Sequence, residues 1–466
     1  MKKVSNIVLT VVLLLLVVAG WLCAMVQITT LASYHSWFTA GELFAWITAN
    51  PYESGDIAAY CLHYVWYWWL LCTIVYALVG VLVVWLLRKE QCKHFVISAL
   101  LCVLSLVPFL LPDPVHSLIH EIGCVGQHID DIKQYQNDNR TFAYHAVKAD
   151  TLPQQEVYVL AIGESVRYRN WALNGEYCRQ TTPRLQEQSN LVLYSDYYAN
   201  ATLTQYALPM MLTATPPESF AAHFQRKTVA AAFAETGFRT ALVSHRAQLM
   251  NNGWHDYLAC DFDTVVWVEH DSLIAPTLLQ LTATGDNWFV LTHYLGNHMF
   301  YTNRPDDCLQ WRPDYNADFC VKSDSLFLNA YDNSLLYTDR MLSEAIRILE
   351  QTDAVSAWLF VSDHGEYIDK RVSGHGYTYH PTKEEYHVPL MVWYSNQYEL
   401  VYPMKVSNMV QHKDMPFSAD CVWGSLLDMA NIRVKEDVQS SIFADSVEWS
   451  KRTLLLPDGE SIMKLD

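Results

Sequence analysis

Three long apolar runs stand near the start of the chain, and none of them is interrupted by a charged residue. They cover residues 6–28, 60–87 and 94–111. A helix needs about 20 mostly apolar residues to cross a bilayer. We therefore predict three transmembrane helices within a membrane region of residues 1–112. A cleaved signal peptide is the alternative for the first run, although this run is longer than a usual signal core and no small-x-small cleavage site follows it.

Beyond residue 150 the apolar runs are shorter and alternate with segments of helical periodicity. Each run is continuous and ends in glycine or polar residues, as is typical of strands that are buried on both faces. These runs are residues 156–165, 239–245, 288–296, 357–365 and 387–395. The alternation predicts an α/β domain over residues 151–466, with a mostly parallel central sheet flanked by helices. Residues 113–150 are more polar and predict linker helices between the membrane region and this domain.

Basic residues in the short loops indicate which way the membrane region faces. Two lysines precede the first run and three basic residues (Arg88, Lys89 and Lys93) lie between the second and third, while residues 29–59 contain none. Loops rich in Lys and Arg stay in the cytoplasm. An odd number of spans then places everything after about residue 112 outside the cytoplasm.

Charge divides the chain in the same place. The 466 residues include 31 Lys and Arg against 49 Asp and Glu, a net charge of −18. Residues 1–112 hold five basic and four acidic residues, so the remainder holds 26 and 45, a balance of −19. With 51% hydrophobic and 17% charged residues, the chain is not disordered overall. An acidic domain without basic blocks also makes nucleic acid a poor candidate partner.

Two of the eleven cysteines flank a loop in the part predicted to be exported. Cys308 and Cys320 enclose the sequence LQWRPDYNADF. An oxidising compartment favours a disulfide there, and a free pair is the alternative. We predict the bridge because no CxxC pattern or histidine partner indicates zinc at this loop. The sequence assigns no partners to Cys124, Cys178, Cys260 and Cys421.

Polar residues that follow the predicted strands form the candidate site. Glu164 follows the first strand, His298 the third, and Asp363 and His364 the fourth. In parallel sheets, functional residues collect at the carboxyl ends of the strands. A single such residue more often caps a loop, but their recurrence at one edge predicts a metal site. Two carboxylates and an imidazole suit Zn²⁺ or Mn²⁺ better than Ca²⁺, which prefers oxygen ligands alone.

A candidate nucleophile lies in the segment 199–213, where Thr202 and Thr204 precede an apolar, helix-like stretch. Either hydroxyl could simply cap the helix. The functional alternative is that a metal lowers the hydroxyl pKa while the helix amides receive phosphate oxygens.

Several motifs occur in an order that resembles the membrane-anchored phosphoethanolamine transferases of the alkaline-phosphatase/sulfatase superfamily. The resemblance covers roughly residues 150–435. The motifs are IGES (162–165), the threonine-rich turn before ALP, GNH (296–298), NAYDNSLLYTD (329–339), SDHGE (362–366), GHG (374–376) and HVPLMVW (387–393).

The resemblance implies roles for individual residues. The implied zinc ligands are Glu164, Thr204, Asp363 and His364. Thr204 is also the implied nucleophile, because the family's nucleophile lies five residues before a proline, here Pro209; Thr202 is the alternative.

Two histidines match those that contact the phosphate or assist a leaving group or acceptor in the family. They are His298 and His375, which could otherwise be a strand cap and a loop residue. In the region 29–59, Glu53 is a candidate for holding an ethanolammonium group by ion pairing, with nearby aromatic rings adding cation–π contacts. A solvated loop is the alternative for Glu53.

The implied reaction is zinc-dependent transfer of phosphoethanolamine from phosphatidylethanolamine through a phosphothreonine intermediate. The implied acceptor is lipopolysaccharide (core or lipid A) or another envelope glycan. The implied location is the bacterial inner membrane, with several spans and a periplasmic catalytic domain. Family members commonly have five spans, however, and lipid A-modifying members often have cysteines where Asn200 and Met210 stand here. A core sugar or another glycan therefore gains weight as the acceptor.

Other functions remain as alternatives. A glycerol-phosphate transferase, or a phosphodiesterase of the same superfamily, would use the same metal site. A sulfatase needs a C/S-x-P-x-R motif, and residues 204–206 (TQY) do not fit it. A non-enzymatic membrane scaffold or sensor would not need the intact set of metal ligands.

Overall fold

The computed structural model describes residues 2–34, 38–39, 43, 62, 65–88, 92–105, 118–138, 141–245, 258–298, 301, 306–312, 324–368, 373–376, 380–435, 440–447 and 452–465. These residues form two compact units, Met1–His128 and Ile129–Asp466. Glu53 and Cys320 lie outside the described residues, so their predicted roles stay predictions. Cys308 is described as a free and buried cysteine.

The first unit is built from apolar helices. Helix α1 covers Lys2–Tyr34, α2 Trp66–Leu87 and α3 Cys92–Ser105. Within the described residues, Thr10–Ala32 and Trp66–Leu87 are long and apolar enough to cross a membrane. Helix α3 has 14 residues, too few to span, and residues 106–111 of the predicted third span lie outside the described part. The third span therefore stays a prediction.

A seven-stranded sheet forms the centre of the second unit. Its strands, numbered along the chain, are β2 Glu156–Gly163, β3 Leu191–Tyr194, β5 Arg239–Ser244, β6 Thr264–Trp267, β7 Trp288–His293, β8 Val355–Ser362 and β11 Leu390–Tyr394. Across the sheet they follow the order β3-β11-β8-β2-β7-β5-β6. Strand β2 is parallel to β7 and β8, and β5 is parallel to β6 and β7, whereas β11 runs antiparallel to β3 and β8.

Short strands and nine further helices complete the described architecture. The short strands are β1 Val147–Lys148, β4 Tyr197–Tyr198, β9 Tyr367–Ile368, β10 Ser373–Gly374, β12 Phe417–Ser418, β13 Ile432–Arg433, β14 Arg452–Leu455 and β15 Ile462–Leu465. The helices are α4 Leu118–Asp138, α5 Thr204–Thr213, α6 Val229–Glu235, α7 Ile274–Thr282, α8 Asp324–Glu350, α9 Lys383–Tyr386, α10 Asn396–Val401, α11 Pro403–Gln411 and α12 Asp420–Met429.

Helices cover both faces of the sheet, which explains why its central strands are mostly apolar on both faces. Every residue of β2 and β8 is buried. Val157 and Val159 on one face pack in a cluster with Leu342 and Ile346 of α8. On the other face, the ring of Tyr158 lies 6.2 Å from that of Phe233 in α6. Because both faces are covered, strand residues of either parity must be apolar.

Candidate metal centre

Two neighbouring strands deliver the carboxylates of the site to one edge of the sheet. Gly163, the last residue of β2, is paired with Ser362, the last residue of β8. The next residues along the two strands, Glu164 and Asp363, therefore leave the sheet side by side. Both are buried, with exposed fractions of 1% and 0%.

Thr204 is the first residue of α5, and its hydroxyl lies among these carboxylates. Its Oγ1 is 2.9 Å from Glu164 Oε1 and 2.7 Å from Asp363 Oδ2. His364 Nε2 lies 3.3 Å from the same oxygen. The structure thus brings together the four side chains that the sequence singled out as metal ligands.

These four side chains fit a divalent cation. The ligand atoms of Glu164, Asp363 and His364 all lie within 4.8 Å of one another, and all three residues are buried. Two carboxylates, one imidazole and one hydroxyl oxygen form a four-ligand mixed O/N set, which suits Zn²⁺ and also accommodates Mn²⁺.

The electrostatics of the cluster favour a positive charge. Burial, together with the negative charge of Glu164, raises the pKa of Asp363 to about 6. Burial opposes protonation of His364, but the carboxylates of Asp363 and Glu164 outweigh it and raise the pKa of His364 to about 9. A buried site with this excess of negative charge attracts a proton or a metal cation.

Backbone contacts leave one oxygen of Asp363 for the cluster. Its Oδ1 accepts hydrogen bonds from the amides of Ser165 at 3.1 Å and His364 at 2.7 Å. The other oxygen, Oδ2, faces Thr204 and His364. The carboxylate is therefore fixed in orientation before any cation binds.

His375 lies beside the cluster. Its ring contacts that of His364, with centroids 3.8 Å apart and planes tilted by 36°, and its Nδ1 is 3.2 Å from Glu366 Oε2. The following Gly376 has a φ of +69° and packs so closely on Leu203 that a side chain there would clash. The GHG segment thus packs against the residue that precedes Thr204.

His298 lies in the turn after β7 and is half-buried. Its backbone amide donates to Leu295 at 2.8 Å, and the side chain of the preceding Asn297 is held by Ser334 and Thr338. Burial raises the pKa of Glu366 to about 7, against the positive charges of His364 and His298. His375 therefore contacts the buried carboxyl group of Glu366, and His298 interacts with the charge of the same group.

The sequence analysis did not single out His293 as part of the site. This buried residue ends β7, with Nε2 3.5 Å from Glu164 Oε2 and Nδ1 3.3 Å from Ser244 Oγ. In the sequence it lies inside the predicted run 288–296, so its position gave no signal that set it apart. Thr202 is also buried, but its hydroxyl has no hydrogen-bond partner among the described residues. Thr204 is the one that contacts the ligands.

This fold and this cluster define an α/β protein with a candidate metal centre at the carboxyl edge of its sheet. The chain belongs to the sulfatase family, whose family model matches residues 156–432, more than half of the chain. The predicted fold class, with N-terminal apolar helices and a mostly parallel sheet, is confirmed.

Comparison with individual proteins agrees with this assignment. The chain is 26% identical to the Kdo(2)-lipid A phosphoethanolamine 7''-transferase of Escherichia coli (strain K12), over 56% of this chain and 48% of that protein. The chain covers about half the length of the curated relatives that it matches.

Two solved structures share the fold. The zinc complex of the C-terminal periplasmic domain of EcEptC from Escherichia coli has a TM-score of 0.61 at 18% identity, covering 68% of this chain and 94% of that one. The integral membrane lipooligosaccharide phosphoethanolamine transferase A (EptA) from Neisseria meningitidis has a TM-score of 0.63 at 20% identity, covering 93% and 85%.

Proposed function

We propose that this protein is a membrane-anchored phosphoethanolamine transferase. It takes the group from phosphatidylethanolamine and passes it to lipopolysaccharide or another envelope glycan through a phosphothreonine intermediate. The observation that carries the proposal is the placement of the Thr204 hydroxyl among Glu164, Asp363 and His364. A hydroxyl that only capped a helix would not need three buried metal-type ligands around it.

Zn²⁺ is the proposed cofactor, with Mn²⁺ as the alternative. The holding residues are Glu164, Thr204, Asp363 and His364, which match the ligand chemistry of zinc. When bound, the cation supplies the positive charge that lowers the pKa of the coordinated hydroxyl. A zinc complex among the solved structures of the same fold supports the choice.

Thr204 carries the transferred group in this mechanism. Its Oγ1 forms a bond to the donor phosphorus, the bond from phosphorus to the diacylglycerol oxygen breaks, and the proton lost by Thr204 ends on that oxygen. In the second half-reaction an acceptor oxygen displaces Oγ1, and the acceptor proton returns to Thr204. As the first residue of α5, Thr204 also lies at a helix N-terminus, where the helix dipole favours phosphate oxygens.

His375 and His298 are proposed to contact the phosphate and to deliver or remove the proton at the leaving or attacking oxygen. The ring contact with His364 puts His375 next to the candidate ligands. The contact of Nδ1 with Glu366 fixes which ring edge can face a substrate. A histidine oriented by a carboxylate is a common arrangement for proton transfer.

The membrane region fits a donor that is a bilayer lipid. The two long apolar helices attach the catalytic unit to the membrane, and attachment raises the local concentration of lipid headgroups. We propose an inner-membrane location with the catalytic unit in the periplasm. We propose lipopolysaccharide as the acceptor, since the E. coli relative is named a Kdo(2)-lipid A phosphoethanolamine transferase. A core sugar or another glycan is the alternative acceptor, which the residues Asn200 and Met210 favour over lipid A.

The test is transfer from labelled phosphatidylethanolamine, with both the protein and the products weighed by mass spectrometry. We expect a phosphoethanolamine adduct on Thr204 in the wild type. Thr204→Ala should lower transfer by about 10³-fold or more, because it removes the nucleophile.

Thr202→Ala is the matched control, because Thr202 is equally buried two residues away. It should keep most of the activity. An adduct with the mass of glycerol phosphate would indicate a different donor lipid and a glycerol-phosphate transferase. If Thr204→Ala is active and Thr202→Ala is inactive, the nucleophile is Thr202.

A further inference from the structure

Ser165, the residue directly after Glu164, has a strained backbone. Its φ is +58°, in the left-handed region, and it is fully buried. A residue other than glycine in this region costs about 1 kcal/mol or more, and it persists only where the surroundings hold it there. Such strain next to a metal ligand indicates that the direction of the Glu164 side chain depends on this turn.

The hydroxyl of Tyr331 holds both sides of the turn. It donates to the carbonyl oxygen of Ser165 at 2.8 Å and accepts from the amide of Arg167 at 3.0 Å. The Arg167 guanidinium lies over the Tyr331 ring, 5.4 Å from its centroid. On the other side, the Ser165 amide donates to Asp363 Oδ1. The strained residue is therefore tied to a second metal ligand and to one phenol.

Tyr331 comes from helix α8. It is fully buried, and it lies in the NAYDN motif, which the proposed chemistry does not use. The neighbouring Asp332 accepts from Asn170 at 2.7 Å and from Arg179 at 2.7 Å. The motif therefore holds the loop that follows β2, and within the motif Tyr331 contacts the turn directly after Glu164.

We propose that Tyr331 is a positioning residue for the metal centre. It holds Ser165 in the left-handed conformation and so directs the Glu164 carboxylate toward Thr204, Asp363 and His364. The inference rests on the metal site of the proposed function, but it concerns a residue that touches neither the metal nor the substrate.

Removing the Tyr331 hydroxyl should weaken zinc binding without removing any ligand. Y331F keeps the ring and its packing, but it loses both hydrogen bonds to the turn. Residue 165 can then relax out of the left-handed region, and Glu164 loses its fixed direction. Loss of an outer contact of this kind typically lowers metal affinity by about 10- to 100-fold.

The experiment uses the full chain in detergent. Zinc affinity is measured by competition with a chelator, and the ligand geometry is followed by the absorption spectrum of the Co²⁺-substituted protein. Y194F is the matched control, because Tyr194 is also fully buried and its hydroxyl donates to the Met409 carbonyl at 3.0 Å, away from the ligands. Both variants should lose similar stability, and only Y331F should lose zinc affinity and change the Co²⁺ spectrum.

The substitution Ser165→Gly tests whether backbone strain at residue 165 connects Tyr331 to zinc binding. Glycine adopts positive φ without steric cost, so Y331F should cost far less zinc affinity in the S165G background than in the wild type. If Y331F does not fold, the double variant must restore both folding and zinc binding.

Two results would overturn the inference: zinc affinity in Y331F equal to that in Y194F, or an equal loss in both backgrounds. Failure of the wild type to bind zinc would instead remove the proposed function.

Discussion

Buried charge governs the site at the level of single residues. Glu164 and Asp363 lie side by side and are buried, with imidazole nitrogens of His364 and His293 3.2 to 3.6 Å from their oxygens. Burying two carboxylates together is unfavourable unless a cation or a proton compensates them. The raised pKa values of Asp363 and His364 express the same imbalance. In the proposed function a metal ion provides this compensation and also activates the Thr204 hydroxyl.

Gly365 is required for the close approach of two backbones behind the ligands. Its amide donates to the carbonyl of Glu385 at 2.7 Å, and a Cβ at residue 365 would overlap the carbonyl oxygen of Glu384. Because that neighbour is backbone, it cannot rotate away. Gly365→Ala should therefore lower the free energy of unfolding by about 3–5 kcal/mol or prevent folding, as measured by urea denaturation and by zinc content.

Gly126→Ala provides the control for this substitution. Nothing lies within 4 Å of a Cβ built at Gly126, which sits within helix α4. Alanine there should be neutral or stabilising by up to about 1 kcal/mol. Equal effects of the two substitutions would contradict the steric argument for Gly365.

The side chains that meet at the candidate metal centre could be selected from the sequence because each occupies a recognisable place. Glu164 and Asp363 directly follow continuous apolar runs, and the resemblance selected Thr204 over Thr202. His293 could not be separated from its surroundings, because it lies inside the run WFVLTHYLG. Its contact with Glu164 depends on which strands are neighbours, and the periodicity of one strand carries no such information.

At the level of elements, the central strands were predictable and the edges were not. Strands β2, β5 and β7 fall within predicted apolar runs, and β8 overlaps one of them, since burial on both faces demands apolar residues. Strand β3 has only four residues, LVLY, and so short an apolar run is a weak signal for a strand. Strand β11 was predicted as a strand, but its antiparallel direction follows from the connection after β8, which the pattern of residues does not reveal.

A half-buried histidine joins several of these elements just before β11. The ring of His387 stacks on Tyr168 with centroids 4.3 Å apart, and its Nε2 lies 3.1 Å from the Ser195 carbonyl oxygen. Burial lowers its pKa from the ordinary 6.5 to about 4, and Lys383 and Arg452 add repulsion, against the attraction of Asp196. The fold therefore holds His387 in its neutral form.

Stability should fall as this junction is acidified. Between pH 6.5 and 4 the unfolded chain binds a proton at His387 that the folded chain does not, so the free energy of unfolding decreases as the pH decreases. The contribution is at most about 3.5 kcal/mol, since the pKa falls from 6.5 to about 4 and a difference of one corresponds to about 1.4 kcal/mol. The measurement is urea denaturation at several pH values across this window.

His387→Gln isolates this contribution from the other titrating groups. Glutamine can still donate to the Ser195 carbonyl, but it does not titrate. The variant should show a shallower decline in stability between pH 6.5 and 4 than the wild type. Parallel pH curves for the two proteins would mean that the folded chain protonates His387 as readily as the unfolded chain does.

At the level of the whole molecule, the chain consists of an apolar unit and an acidic unit. The division at residue 128 falls within the linker predicted for residues 113–150. Composition made this division predictable, because residues 1–112 are almost free of charge and the remainder carries the whole acidic excess. The number of spans stays a prediction, since the described part of helix α3 is too short to cross a membrane.

This division predicts how activity depends on the attachment. A fragment of residues 129–466 contains every ligand of the candidate metal centre, so it should fold and bind zinc as the full chain does. Its transfer from phosphatidylethanolamine in vesicles should fall by about 10²-fold or more, because the headgroups are no longer at high local concentration. Cleavage of a water-soluble phosphoethanolamine ester should change little.

Artificial attachment separates proximity from a direct role of the helices. A histidine tag at the start of the fragment, bound to nickel-chelating lipids, restores the local concentration without the helices. If proximity is their contribution, transfer from vesicles should recover most of the loss. If the bound fragment stays inactive while it still cleaves the soluble ester, residues of the first unit must contact the donor lipid themselves. The predicted role of Glu53 would then be the first to test, by Glu53→Gln in the full chain.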